Sequence, residues 1–181
     1  MKALLGFLGR NSGLVLLLAG ILMSLPGPTR IRPAVAQQSP AGALAGLGAP
    51  PDPRVPVSWD RYYDHETLGE IGQRLERAWP DYCRLSSIGA SVEGRDIWLI
   101  TVTDFRVGDP DLKPAMWIDG NIHANEVQGS EIALYTAWYL CEMAERVEWV
   151  ADFLRNRTMY IVPTINPDGR DNFIYEANTP H

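Results

Sequence analysis

Residues 115–126 read Ala115-Met116-Trp117-Ile118-Asp119-Gly120-Asn121-Ile122-His123-Ala124-Asn125-Glu126. The first four are apolar without interruption, which is typical of a β-strand buried on both faces. A long helix is predicted directly afterwards, over residues 128–146. Its apolar side chains recur at helical spacing, at Ala133, Ala137, Leu140 and Ala144.

The sequence before this stretch predicts one helix and two strands. Thr67-Leu68-Gly69-Glu70 has the capping-box pattern of a helix start. Pro80 closes that helix, whose apolar positions follow at helical spacing (Leu68, Ile71, Leu75 and Trp79). Residues 84–88 and 97–102 are strand-like and flank the turn-rich residues 89–94.

The sequence after it predicts a short helix over residues 149–154 and an apolar strand over residues 159–165. A turn signal, Asn166-Pro167-Asp168-Gly169, ends that strand. Strands that alternate with helices favour an α/β fold whose sheet is covered on both sides.

The N-terminus has the pattern of an export signal. Lys2 and Arg10 precede an apolar run at residues 14–25, and Ala34-Val35-Ala36 forms a small-residue cleavage site. The run is shorter than the ~20 residues that a transmembrane helix needs. We therefore predict a signal peptide over residues 1–36, a secreted or periplasmic location, and no stable membrane insertion after its removal. A signal anchor is the alternative.

Residues 37–57 are rich in Ala, Gly and Pro, which predicts a flexible spacer. The folded domain is expected to begin near Trp59 and to occupy residues 58–181. The aromatic residues near its start are interpreted as core packing rather than as a ligand surface (Trp59, Tyr62, Tyr63 and Trp79).

The charge balance gives no support for a nucleic-acid or anionic-membrane partner. Residues 1–36 hold four of the 16 Lys and Arg residues and none of the 22 Asp and Glu residues. The remaining chain therefore carries 16 − 4 = 12 basic against 22 acidic residues, a net charge of −10. Two cysteines, Cys83 and Cys141, are too few for a disulfide-stapled fold. Whether they pair is open.

Candidate chemistry lies where the apolar strand ends. His123 and Glu126 are three residues apart at the start of the long helix, so both side chains can turn toward one point. Imidazole nitrogen and carboxylate oxygen are suitable zinc donors, and ligand sites in α/β folds favour the carboxyl ends of strands. Taken alone the pair has a second interpretation, because Glu126 also suits the positive end of a helix.

The His123–Glu126 pair lies in the second of three sequence blocks, which are residues 89–95, residues 117–126 and residues 162–169. Together they resemble the zinc metallocarboxypeptidase family of the carboxypeptidase A type, over nearly all of the predicted domain. The resemblance implies a three-layer α/β/α fold with a mixed, mostly buried sheet, here truncated at its C-terminal side. Residues 89–95 and 166–169 are expected to shape strand ends near the site, without a catalytic role.

By this resemblance His123 and Glu126 are the first two ligands of one zinc ion. The third ligand, a histidine, and the general base, a glutamate, are expected beyond residue 181. His65 is interpreted as a residue at the start of the first helix, His181 as a surface histidine and Arg170 as a solvated charge.

The function that the resemblance implies is zinc-dependent hydrolysis of the last peptide bond of peptides and proteins. The chain as given is expected to be inactive, since it lacks part of the site. One alternative is a zinc deacylase of the aspartoacylase or succinylglutamate desuccinylase type, which also places His and Glu three residues apart after a buried strand. Another is a non-catalytic remnant.

Overall fold

The computed structural model describes residues 48–176. The predicted signal peptide, residues 37–47 of the predicted spacer and His181 lie outside this range. Within it the strands are β1 (Cys83–Ala90), β2 (Asp96–Val102), β3 (Ala115–Asp119) and β4 (Thr158–Val162). The helices are α1 (His65–Ala78), α2 (Val127–Met143), α3 (Glu148–Asn156), α4 (Pro167–Tyr175) and a 3-10 turn at Pro110–Leu112.

The four strands form one sheet in the order β1-β2-β4-β3. β1 pairs with β2 and β2 with β4 in antiparallel fashion, whereas β3 and β4 are parallel. α2 and α3 make the crossover between the two parallel strands, as parallel pairing requires. The predicted α/β class with a mixed sheet is confirmed.

Residues at alternate positions of the central strands build the core. Ile100 is paired with Ile161, and Val102 with Met159, and all four side chains are buried. α2 packs against this face. The apolar positions that the sequence predicted are all buried, and the last of them directly follows the helix (Ala133, Ala137, Leu140 and Ala144). Cys83 and Leu85 are two residues apart in β1, so their side chains lie on the same face of the sheet. One contacts α2 and the other lies near α1, so both helices cover this face. Leu85 lies near Gly72 of α1, and the Cys83 thiol contacts that of Cys141 in α2.

The prediction that residues 115–118 form a strand buried on both faces is wrong. β3 lies at the edge of the sheet, so within residues 48–176 it has a hydrogen-bonded neighbour on one side only. The side chain of Met116 is 59% exposed and that of Trp117 is 50% exposed. The second helical layer that the resemblance implies stays a prediction.

The packed region starts earlier than Trp59. Val55 is buried, its N–H donates to Glu142 Oε1 over 2.9 Å, and its carbonyl accepts from Trp138 Nε1 over 2.7 Å. Glu142 is fully buried and also accepts from the Arg54 N–H at 2.9 Å. The last residues of the predicted spacer are therefore held against α2, because a buried carboxylate satisfies their backbone donors.

The first helix begins before the predicted capping box. Asp64 is the N-cap, and its Oδ1 accepts from the Thr67 N–H at 2.9 Å. A carboxylate in that position satisfies a free N–H of the first turn as well as a hydroxyl does. The helix ends at Ala78, just before Trp79 and Pro80, as predicted.

Candidate metal centre

The candidate centre begins where β3 ends. The Gly120 N–H donates to the Val162 carbonyl over 3.1 Å, and the Gly120 carbonyl accepts from the Ile165 N–H over 3.0 Å. A Cβ at Gly120 would lie 2.7 Å from the Gly129 backbone and 3.0 Å from the Pro163 carbonyl oxygen. Only glycine lets the chain pass this close to the first turns of α2.

Asn121 shapes the loop that follows. Its φ is +55°, and it is the one non-glycine residue with positive φ among the described residues. Asparagine tolerates this left-handed conformation better than most residues. The side-chain Nδ2 donates to the His123 carbonyl at 2.7 Å and to the Ala124 carbonyl at 3.3 Å, which closes the loop.

The side chains of His123 and Glu126 approach each other, as their spacing in the sequence allows. His123 Nδ1 lies 3.0 Å from Glu126 Oε2, and the side chains are 73% and 52% exposed. The Glu126 carboxylate also accepts from the His123 N–H at 3.3 Å. These hydrogen bonds from His123 lower the pKa of Glu126. Glu126 immediately precedes α2, and it makes no side-chain capping bond to the helix.

The pair fits two positions of a zinc site. It combines an imidazole nitrogen and a carboxylate oxygen, both accessible to solvent and close to each other, and these are zinc's usual nitrogen and oxygen donors. Residues 48–176 contain no group of three or more His, Cys, Asp or Glu side chains that could hold a metal ion. A third protein ligand is therefore not found in the described part of the chain.

His65 belongs to a different environment. It is the first residue of α1, as interpreted from the sequence, and it is 7% exposed. Its ring stacks on Trp98 with centroids 6.4 Å apart, and its backbone N–H donates to Asp171 Oδ1. Burial lowers the pKa of this histidine.

Residues 166–169 form the start of a helix instead of a turn. Asn166 is the N-cap of α4, and its Oδ1 accepts from the Gly169 N–H at 2.9 Å. Pro167 suits the first helical position, because a backbone N–H there would have no acceptor within the helix and proline has none to satisfy. Asn166 Nδ2 also donates to the Ile122 carbonyl at 3.2 Å, so the helix start touches the loop of the candidate centre.

Residues 89–95 are tied to the same helix through Asp168. Its carboxylate accepts from Ser91 Oγ at 2.7 Å, from Arg95 Nη1 at 2.7 Å and from the Glu93 N–H at 3.1 Å. Arg95 Nε also lies 3.2 Å from Asp171 Oδ2. The three sequence blocks thus interlock around the first turn of α4.

The interpretation of Arg170 as a solvated charge is wrong. Its side chain is 0% exposed and contacts the carboxylate of Glu131, which is also largely buried. Burial acts to lower the pKa of Arg170 and to raise that of Glu131, and their mutual ion pair opposes both shifts. A charge next to a turn signal favours an exposed position, and the sequence does not show that residues 167–175 form a helix packed against α1.

Comparison with known proteins places these observations in a family. The family model "Zinc carboxypeptidase" matches residues 70–177. The catalytic chain of rat carboxypeptidase N is 31% identical over 115 residues, which cover 63% of this chain and 25% of that protein. Duck carboxypeptidase D is 30% identical over 146 residues, covering 78% of this chain and 10% of that protein.

Two solved structures share the fold. The crystal structure of thrombin-activatable fibrinolysis inhibitor aligns with a TM-score of 0.61 at 24% identity, covering 69% of this chain and 31% of that one. Carboxypeptidase A from Helicoverpa armigera aligns with a TM-score of 0.58 at 22% identity, covering 73% of this chain and 31% of that one.

The match, which spans more than half of the chain and both predicted ligands, defines the class: this chain belongs to the zinc carboxypeptidase family. It spans about a quarter of the rat carboxypeptidase N catalytic chain. None of the helices in residues 48–176 is both long and apolar enough to cross a membrane.

Proposed function

We propose that this chain is the N-terminal part of the catalytic domain of an exported zinc metallocarboxypeptidase. The observation that carries the proposal is the His123–Glu126 pair, held 3.0 Å apart at the end of β3 inside the segment that matches the family. His123 and Glu126 would supply two ligands to one zinc ion. The third ligand and the general base are proposed to lie in sequence beyond residue 181.

The described residues prepare the site in three ways. Gly120 allows β3 to approach α2, so that the strand end and the helix start face the same solvent region. Asn121 closes the loop between them. Asn166 donates to that loop from α4. These contacts constrain the backbone that carries His123 and Glu126, and this supports the proposal because a productive metal site needs ligands held in place. When bound, zinc supplies Lewis-acid chemistry that polarises a carbonyl group and activates water for hydrolysis.

The proposed substrates are the C-termini of peptides and proteins. Two similar proteins are named carboxypeptidases, N and D, which supports this substrate class. The excess of acidic over basic residues gives no support for a nucleic-acid partner. Export is proposed from the positive n-region, the short apolar run and the small-residue cleavage site in residues 1–36.

The test uses the chain extended by the sequence that follows residue 181, with zinc content and release of C-terminal amino acids as readouts. His123→Ala and Glu126→Ala should each abolish stoichiometric zinc and activity. Asn125→Ala is the matched control for zinc content, since Asn125 is exposed between the two ligands. If the extended chain kept stoichiometric zinc after both ligands were replaced, the site would be misplaced.

The zinc deacylase is the second candidate function, since it shares the His-x-x-Glu spacing. The family match and the interlocked blocks at residues 89–95 and 166–169 favour the peptidase. Parallel assays on a peptide and on N-acyl amino acids separate the two. Hydrolysis of the acyl amino acid alone would overturn the peptidase, and hydrolysis of neither by a zinc-loaded extended chain would support the non-catalytic remnant.

A further inference from the structure

We infer that Arg170 is a positioning residue for the candidate metal centre, holding residues 121–127 in the conformation that presents His123 and Glu126. The inference rests on the proposed function in one respect: it takes these two residues as the metal ligands. Arg170 contacts neither of them, so its effect must pass through the backbone of the loop.

The guanidinium joins four acceptors from three parts of the chain. Nε donates to the Tyr63 carbonyl at 2.7 Å, just before α1. Nη1 donates to Asn121 Oδ1 and to the Val127 carbonyl, both at 3.0 Å. Nη2 donates to the Glu131 carboxylate. Because the guanidinium is planar and its donors are fixed in direction, these bonds set the relative positions of all four acceptors.

Two of these acceptors flank the ligand pair. Asn121 lies two residues before His123, and Val127 directly follows Glu126. One nitrogen of Arg170 therefore fastens both ends of the segment that carries the ligands. The loop between the two anchors has little freedom to open while both bonds persist.

Arg170 also determines the orientation of the Asn121 amide. A guanidinium donates and does not accept, so the amide oxygen must face it. Ser130 Oγ contacts the same oxygen at 3.3 Å. The amide nitrogen is thereby turned toward the carbonyls of His123 and Ala124, and these are the bonds that close the loop.

The buried charge argues against a purely incidental contact. Arg170 is fully buried, and Glu131 supplies the opposite charge from the second turn of α2. Taking a charge out of water is expensive and needs several good hydrogen bonds in return. Here those bonds are directed at the loop and the helix start.

The experiment compares Arg170→Met, Arg170→Lys and Asn121→Asp in the extended chain. Two readouts are used: backbone hydrogen exchange of residues 121–127 in metal-free protein, and zinc affinity by competition with a chelator. Arg170→Met should remove the exchange protection of the loop and weaken zinc binding by about 10–100-fold, as loss of supporting groups around a metal site typically does. Arg170→Lys keeps the positive charge but loses the planar set of guanidinium donors. It should therefore retain only part of the exchange protection and part of the zinc affinity.

Asn121→Asp keeps an acceptor for Arg170 but loses the two bonds donated to the loop. It should weaken zinc binding and loop protection while keeping the buried Arg170–Glu131 ion pair, so it serves if Arg170→Met fails to fold. Glu142→Gln is the control, because Glu142 is a fully buried ionisable side chain like Arg170 but is bonded to residues 54 and 55 instead of the loop. It should lower the melting temperature while leaving loop exchange and zinc affinity within about two-fold.

Unchanged loop exchange and zinc affinity in the Arg170 and Asn121 variants would overturn the inference and leave the proposed function standing. Equal weakening by Glu142→Gln would overturn it too, because the effect would then be global. If the unmodified extended chain bound no zinc, the proposed function would fail, and loop exchange alone would still decide the role of Arg170.

Discussion

The carboxylate of Asp168 lies 2.7 Å from Nη1 of Arg95 and joins two segments that are far apart in the sequence. Arg95 is the last residue of the loop between β1 and β2, and Asp168 belongs to the first turn of α4. Because Ser91 and the Glu93 N–H donate to the same carboxylate, the whole loop is fastened to the helix that contains Arg170.

Asp168→Asn should destabilise the protein by about 1–3 kcal/mol, the usual cost of losing hydrogen bonds to a charged group. Desolvation acts to raise the pKa of Asp168, but the hydrogen bonds from Ser91, Arg95 and Glu93 outweigh it, so the pKa is lowered. A lowered carboxyl pKa stabilises the fold above the ordinary value of 3.8, and this contribution is lost as pH falls through the folded-state pKa. The free energy of unfolding should therefore fall below pH ~4 in the unmodified protein.

Urea unfolding between pH 3 and 7 measures this dependence. The difference between Asp168→Asn and the unmodified protein should shrink toward the acid end. A difference in unfolding free energy that stays constant over this pH range would contradict the ion pair between Asp168 and Arg95.

Gly120→Ala should destabilise the protein by about 1–3 kcal/mol through overpacking, because the added methyl meets backbone atoms that cannot move aside. Gly129→Ala is the matched control. Its added methyl would lie 3.4 Å from the Asn121 nitrogen, which is ordinary contact, and alanine suits a helix better than glycine. Thermal unfolding should show a clear loss for the first variant only, and equal losses would contradict the close approach.

The two thiols should resist modification in the folded protein. Cys83 and Cys141 are both 0% exposed, and the hydrogen bond with Cys83, followed by burial, raises the pKa of Cys141. Thiolate is the reactive form, so iodoacetamide at neutral pH should label neither residue in native buffer and both in denaturant. Mass spectrometry counts the adducts. Rapid native labelling of either cysteine would show that the β1–α2 contact is loose.

One edge of β3 has no neighbouring strand within residues 48–176, and this edge should make the chain self-associate. An exposed edge strand with apolar side chains is a template for pairing with another chain. Trp117→Lys should reduce concentration-dependent association in sedimentation velocity, because a charge on the edge strand opposes pairing. Leu112→Lys is the control, since Leu112 is exposed in the 3-10 turn and outside the sheet. An unmodified chain that stays monomeric over the whole concentration range would contradict this prediction.

Local periodicity in the sequence predicted most of the helices and strands, but not which of them lie side by side. The spacing of Ala133, Ala137 and Leu140 identified α2 and its buried face, since these positions depend on the helix itself. The exposure of Trp117 depends on which strand lies beside β3, and an apolar run carries no information about that. The N-cap of α1 is Asp64 and not Thr67. The sequence alone does not decide between them, because both residue types can cap a helix.

The sequence pointed to the two candidate ligands but not to the contacts that hold the segment carrying them. His123 and Glu126 lie in one short segment, so their spacing alone indicated that their side chains can approach each other. Arg170 is 49 residues away from Asn121, and only the packing of α4 places its guanidinium beside the loop. A side chain that acts through tertiary contacts leaves no periodic pattern in the sequence.

The parallel pairing of β3 with β4 has a consequence for the order of synthesis. A ribosome makes His123 and Glu126 before it makes the strand that pairs with β3, and Arg170 comes later still. Non-local pairing cannot begin until both partners have left the exit tunnel, so the ligand loop reaches its final shape only after α4 has been translated. The conformation of the loop that carries His123 and Glu126 is therefore completed late, by segments that the ribosome makes after it.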